Sequence, residues 1–242
     1  MIKQYVAETY YLNIRNDNVI ICQNIIKKFK NGNEETIVIN DVSLHIKKGE
    51  FVALTGKSGS GKSTLMNMIG LIDTADSGII DIAGSDTSKM TSIERANIRN
   101  KKIGYIFQSF YLENKYTVFK NIEMPMLIAD VSKNERKKRI AECMEYVDIS
   151  KKSDQLAETL SGGEKQRVCI ARALANDPEI ILADEPCGNL DSVNTKKVME
   201  LLKKLQDIGK TILMVTHSME DAQYADRIIT LKDGVIINEN QK

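Results

Sequence analysis

The chain has 242 residues, 34 of them Lys or Arg and 33 Asp or Glu, for a formal net charge of +1, with 42% hydrophobic residues. That composition builds one large globular core or two small ones. It lacks the concentrated basic face that binding to nucleic acid requires, so no nucleic-acid partner is expected. The longest apolar runs fall far short of the roughly 20 residues of a spanning helix, so the chain is not expected to cross a membrane by itself.

Residues 1–18 read as an N-terminal extension. They carry charges and tyrosines where a secretory signal would carry a continuous apolar run, so a cytoplasmic chain is expected. Tyr5, Tyr10, Tyr11, Leu12 and Ile14 either add a strand, pack on a partner, or belong to a vector-derived or disordered tail. From residue 19 onward the pattern is that of one domain. Alternation through Thr36, Val38, Asn40, Val42, Leu44 and Ile46 predicts antiparallel strands turned at Asn31-Gly32-Asn33. Phe51 to Thr55 predicts a short buried strand, followed by a glycine-rich turn and a helix from Lys62 with Leu65, Met68, Ile69 and Ile72 on one face. Ile79, Ile80 and Ile82 make a further strand, closed by Ala83-Gly84.

Capping signals at Thr91 with Glu94, and at Ser132 with Glu135, mark a mostly helical insertion over 88–159, interrupted by a strand from Ile103 to Phe107. Strands Ile180 to Ala183, Thr211 to Val215 and Ile228 to Leu231 then alternate with helices, which predicts a parallel sheet in an α/β fold. Asp233-Gly234 predicts a closing hairpin. Residues 19–87 and 160–242 would form the core around the insertion. The four cysteines, Cys22, Cys143, Cys169 and Cys187, form no Cys-x-x-Cys pair, and three sit in apolar stretches. Buried thiols in a reducing compartment are expected.

Three motifs carry chemistry. Gly56-Lys57-Ser58-Gly59-Ser60-Gly61-Lys62-Ser63, followed by Thr64, lies between a strand and a helix. Its backbone N–H groups suit phosphate oxygens, Lys62 the β and γ phosphates, and the Ser63 hydroxyl Mg²⁺. Ile180 to Glu185 is an apolar strand that delivers Asp184 and Glu185 to its carboxyl end, where α/β sheets bind ligands. Adjacent residues on a strand face opposite ways, so Asp184 is assigned to Mg²⁺ or its waters and Glu185 to the water attacking the γ phosphate. The third motif is Leu160-Ser161-Gly162-Gly163-Glu164-Lys165-Gln166-Arg167. Ser161 and Glu164 form a capping box that opens a helix, whose start offers free N–H groups to an anion. The two glycines keep side chains out of its approach.

The first two motifs alone fit nucleotide kinases, helicases and GTPases equally well. With the third, the chain from Val19 to Asn238 resembles the ATPase subunits of ABC transporters. The resemblance implies a P-loop NTPase fold of ABC ATPase type: a mixed RecA-like core, an N-terminal antiparallel β layer and a helical subdomain. It also implies that Gln108 touches Mg²⁺ or water, that His217 reaches the γ phosphate, and that Asp191, in Asn189-Leu190-Asp191, contacts an opposing subunit. Phe29 falls where the family places an aromatic residue against adenine, although a core role suits it equally. Departures are few: Cys187 stands where Thr is frequent, Ser218 where Asp is common, and Lys57 where Pro is common. None removes a catalytic group.

Met66 to Asp73, Phe107 to Leu112, Asn121 to Pro125 and Gly188 to Ser192 look like the macrolide-export and lipoprotein-release branch. That resemblance implies an ATP-hydrolysing, Mg²⁺-dependent subunit working as a head-to-tail dimer. Each nucleotide would lie between one copy's phosphate loop and the other's Ser161 and Gly163. The pair would power an integral membrane permease, with a possible periplasmic or extracellular accessory protein, from the inner face of the membrane. An alternative is a regulatory ATPase that transmits a conformational signal to a membrane partner and moves no solute. A soluble ABC protein of translation or DNA repair fits less well, since those usually carry paired nucleotide domains or a long coiled-coil insertion.

Overall fold

The computed structural model describes residues 17–32 and 34–241, so the expectations for Tyr5 to Ile14, and for Asn33 in the first turn, lie outside the described residues. Two long strands, β1 (Asn18–Asn31) and β2 (Glu34–Lys47), pair antiparallel from Asn31 opposite Glu34 to Asn18 opposite Lys47. With β4 (Ser77–Ile82) and β5 (Ser85–Asp86) they form a four-stranded sheet in the order β2-β1-β4-β5. The second sheet has six strands in the order β10-β9-β3-β8-β7-β6. It comprises β3 (Phe51–Thr55), β6 (Ile103–Ile106), β7 (Ile180–Asp184), β8 (Thr211–Val215), β9 (Arg227–Lys232) and β10 (Val235–Gln241). All its pairings are parallel except the β9–β10 hairpin, which turns at Asp233-Gly234 as the sequence predicts.

The central strands β3, β7 and β8 are apolar and buried almost throughout because both of their faces are covered. Phe51 and Ala53 join one core cluster with the helices α3 (Val118–Ile128), α4 (Lys133–Tyr146), α5 (Gly162–Leu174) and α6 (Ser192–Asp207). Val52 and Leu54 join the other, with the β layer and α1 (Lys62–Ile69). A further helix, α2 (Ser92–Lys102), opens on the complete Thr91–Glu94 capping box. The strand predicted inside the helical insertion is β6, hydrogen-bonded to β7 at the sheet's edge, so the chain returns to the main sheet between α2 and α3. Of the basic residues Lys133, Arg136, Lys137, Lys138 and Arg139 on α4, two are held by other elements: Arg136 Nε lies 2.8 Å from Glu123, and Arg139 reaches the Leu174 carbonyl at 3.0 Å.

The antiparallel pairing predicted from the alternation forms, with a break in its pattern. The inner face of β2 is Ile39, Val42, Leu44 and Ile46; Val38 is half-buried, and Thr36 and Asn40 are exposed. A bulge shifts the alternation where Asp41 takes a positive φ of 54°. Asn24 of β1, also at positive φ, answers it by donating from Nδ2 to Asp41 Oδ1 at 2.8 Å. Ile72 likewise leaves the α1 face and is exposed. The helix ends in a Schellman turn, in which Leu71 N–H donates to Met68 O at 3.1 Å and Ile72 N–H to Asn67 O at 2.9 Å. Leu71, at φ 57°, supplies the left-handed residue and turns inward in place of Ile72.

Candidate functional site

The sheet brings the carboxyl ends of β3, β6, β7 and β8 to one edge, the edge at which α/β sheets take ligands. From β3 the chain enters the loop at Gly56. Gly61 takes φ 100°, and a Cβ there would meet Ile39 Cδ1 at 2.7 Å and the Val38 carbonyl at 2.8 Å, so only glycine lets the loop lie this close to β2. Lys62 is 7% exposed. Its Nζ donates to the carbonyls of Gly56 and Lys57, both at 2.8 Å, which places a buried ammonium at the centre of the loop. Ser58, Gly59, Ser63 and Thr64 line the same 580 Å³ cavity.

Glu185 follows the last residue of β7. Its N–H continues the ladder to Val215 O at 2.9 Å, and its backbone then turns at φ 45°, a conformation costing a non-glycine residue about 1 kcal/mol. Across the cavity mouth His217 Nδ1 lies 2.7 Å from Glu185 Oε2. Gln108, just beyond β6, lines the cavity with both of them. The neighbouring Asn189 donates from Nδ2 to Gln108 O at 3.0 Å. Asp184 sits behind them at the end of β7. Burial pushes its carboxyl above the ordinary value, Glu185 adds to the rise, and Lys62 opposes it. A carboxylate held in that state gains from a nearby cation.

The Ser63 hydroxyl and the Gln108 amide line the cavity, and Asp184, at the end of β7, feels the charge of Lys62, so the oxygen donors here are sparse. Among the described residues there is no group of three or more His, Cys, Asp or Glu that could hold a metal. Mg²⁺ bound through one carboxylate and substrate phosphates needs no more than this, so the residues fit it.

The remaining predicted residues lie outside this cavity. Ser161 and Glu164 complete their capping box, with the Ser161 N–H donating to Glu164 Oε2 at 2.9 Å. Asp191 caps α6 by accepting the Asn194 N–H at 2.8 Å. The two helix starts touch: a Cβ on Gly163 would collide with Asn194 Oδ1, whereas Gly162 has only Asn189 and Leu190 near it. Ser161, Gly162, Gly163 and Asp191 therefore form one corner. Phe29, on β1, is 47% exposed and does not line the cavity; the Lys27 ammonium sits 5.2 Å over its ring. Val38 does line it, which the sequence did not signal, because a partly exposed strand residue carries no local mark of a ligand.

The sequence profile described as ABC transporter matches residues 39–188. The chain belongs to the ABC transporter family. It is 45% identical over 219 residues to an uncharacterised ABC transporter ATP-binding protein of Methanocaldococcus jannaschii, covering 90% of this chain and 98% of that one. It is 44% identical over 225 residues to the macrolide export ATP-binding/permease protein MacB of Mannheimia succiniciproducens, covering 93% of this chain but 35% of that protein. The chain thus spans about a third of the length of its MacB relatives. Among solved structures it superposes with a TM-score of 0.85 and 42% identity on the dimeric post-hydrolysis state of the ATP-binding cassette MJ0796 bound to ADP and Pi. That match covers 92% of this chain and 98% of that one. The fold is the ABC ATPase fold, and the chain is an ATP-binding, ATP-hydrolysing subunit of ABC transporter type.

Proposed function

We propose that ATP binds with its phosphates on the loop from Gly56 to Thr64 and that Glu185 orients and deprotonates the attacking water, with His217 and Gln108 beside it. The observation that carries this reading is the 2.7 Å contact between Glu185 Oε2 and His217 Nδ1 at the mouth of the phosphate-loop cavity. In that arrangement Lys62 neutralises phosphate charge, and the imidazole holds the carboxylate in one rotamer. Ser63, Gln108 and Asp184 are the residues that would hold Mg²⁺, which supplies further charge neutralisation at the phosphates. Phe29 is assigned to the adenine, its side chain being half exposed beside the Lys27 ammonium.

The corner of Ser161, Gly162, Gly163 and Asp191 lies apart from the cavity, which supports a site completed by a second copy, each chain lending its corner to its partner's nucleotide. No helix of the described residues is long and apolar enough to cross a membrane. The MacB relatives are named as ATP-binding/permease proteins, which supports a role at the cytoplasmic face of the membrane, driving a permease that exports or extracts a peptide, lipoprotein or drug-like substrate. Glu185→Gln tests the chemistry. Phosphate release is expected to fall about 10²- to 10⁴-fold, the range of a lost general base, while ATP binding persists and the closed dimer accumulates. Near-normal release would remove Glu185 from this role.

A further inference from the structure

The start of α5 carries a carboxylate beside the place assigned to a phosphate. Glu164 lies in the helix's first turn, where an acid offsets the positive end of the helix dipole, the same field that would draw an anion. Left uncompensated, it would weaken the anion site made by Ser161, Gly162 and Gly163. The fold supplies a counter-ion from another element: Lys152 Nζ lies 2.7 Å from Glu164 Oε1, with the two side chains only 33% and 19% exposed. The two carboxylate oxygens are thus divided. Oε2 accepts the Ser161 N–H, and Oε1 takes the ammonium. Lys152, followed by the Ser161 backbone, holds the Glu164 carboxyl down at about 2.

Lys152 is itself firmly placed. It ends a 3₁₀ turn (Ser150–Lys152), its N–H donates to Ile149 O, and its carbonyl accepts the Gln155 N–H, both at 3.0 Å. The residues that follow cap α3: Phe119 N–H donates to Ser153 O at 3.0 Å and Val118 N–H to Gln155 O at 2.9 Å. The ammonium therefore projects from a segment fastened to the first turn of α3, the helix that follows the Gln108 loop.

We propose that Lys152 is a positioning residue of the shared nucleotide site: by neutralising Glu164 it leaves the start of α5 electropositive toward the partner copy's phosphate, and it ties that start to α3. This rests on the reading of α5 as the helix that meets the partner's ATP. Nothing in the role requires Lys152 to touch nucleotide. Its removal should leave binding to the chain's own phosphate loop intact and should weaken only the step in which two copies close on ATP.

The test uses the full chain in the Glu185→Gln background, with ATP-dependent dimerisation followed by analytical ultracentrifugation and monomer affinity by equilibrium binding of ATP. Lys152→Met is expected to raise the ATP concentration for half-maximal dimerisation about tenfold, a size that a charge at a helix end can command, with monomer affinity unchanged. The defect should shrink as salt is raised, since screening weakens the field of a carboxylate that has lost its counter-ion. The pair Lys152→Met with Glu164→Gln should recover the parent value, because no charge then remains to be neutralised. If the parent Glu185→Gln chain does not dimerise with ATP, the shared-site reading fails and this inference with it. If it dimerises and Lys152→Met behaves like it, or Glu164→Gln gives no recovery, the shared-site reading stands and the role of Lys152 is overturned.

Discussion

Asp184 shows in a single side chain what a buried carboxyl costs the fold. Its carboxyl is raised by burial first and by Glu185 second, with Lys62 opposing. A carboxylate with a raised folded-state pKa costs the fold stability above that pKa, and the cost disappears as the pH falls through the unfolded value near 3.8. Asp184→Asn keeps the shape and removes the charge. It is expected to raise the thermal midpoint of the nucleotide-free protein at neutral pH, to lose that advantage below pH ~4, and to abolish ATP turnover. A scan of thermal midpoint against pH for both proteins checks the first two points; a midpoint equal to or below the parent's at pH 7 would contradict the burial argument. Both acids of this pair were legible in the sequence because an apolar strand ends on them. The contact of Glu185 with His217 was not, since it depends on β7 and β8 lying side by side.

At the scale of elements, the capping boxes were the most readable features, because Thr91 with Glu94 and Ser161 with Glu164 meet across three residues of local chain. The break in the β2 alternation was unreadable for the opposite reason: the left-handed turn at Asp41 is answered by Asn24 on another strand. The end of α1 was hidden because Leu71, and not a glycine, takes the left-handed position. Glu164 makes the capping box measurable. Its carboxyl is held at about 2 against an ordinary 4.5, so it stabilises the fold above the ordinary value and loses that contribution as the pH falls through the lower one. Relative to the parent, Glu164→Gln is expected to be less stable to urea at pH 7, with the difference closing between pH 4.5 and pH 2. A difference that persists at pH 2 would mean that packing at α5, and not the charge, is being measured.

For the molecule as a whole, one chain holds a phosphate-loop cavity and, apart from it, the corner at Ser161 and Asp191. If the corner serves a second copy, Ser161→Arg should abolish turnover while monomer ATP binding persists, and Lys62→Ala should abolish turnover through the loop. Mixed together, the two inactive chains should regain activity, because a mixed pair contains one site with an intact loop and an intact corner. A mixture as inert as its components would count against a shared site. The family and the motif order were readable from the sequence; the separation of corner from cavity needed the fold.

The four buried thiols open a practical route to that question. Cys22, Cys143, Cys169 and Cys187 are all free and buried, and burial pushes their thiols up to about 11 or 12. Thiolate is the species that reacts with alkylating dyes, so the native cysteines should stay dark in a brief labelling reaction near neutral pH. A single cysteine placed at exposed Lys138 would then carry the dye in an otherwise unaltered chain. Donor- and acceptor-labelled copies would report the approach of two cassettes on ATP in real time.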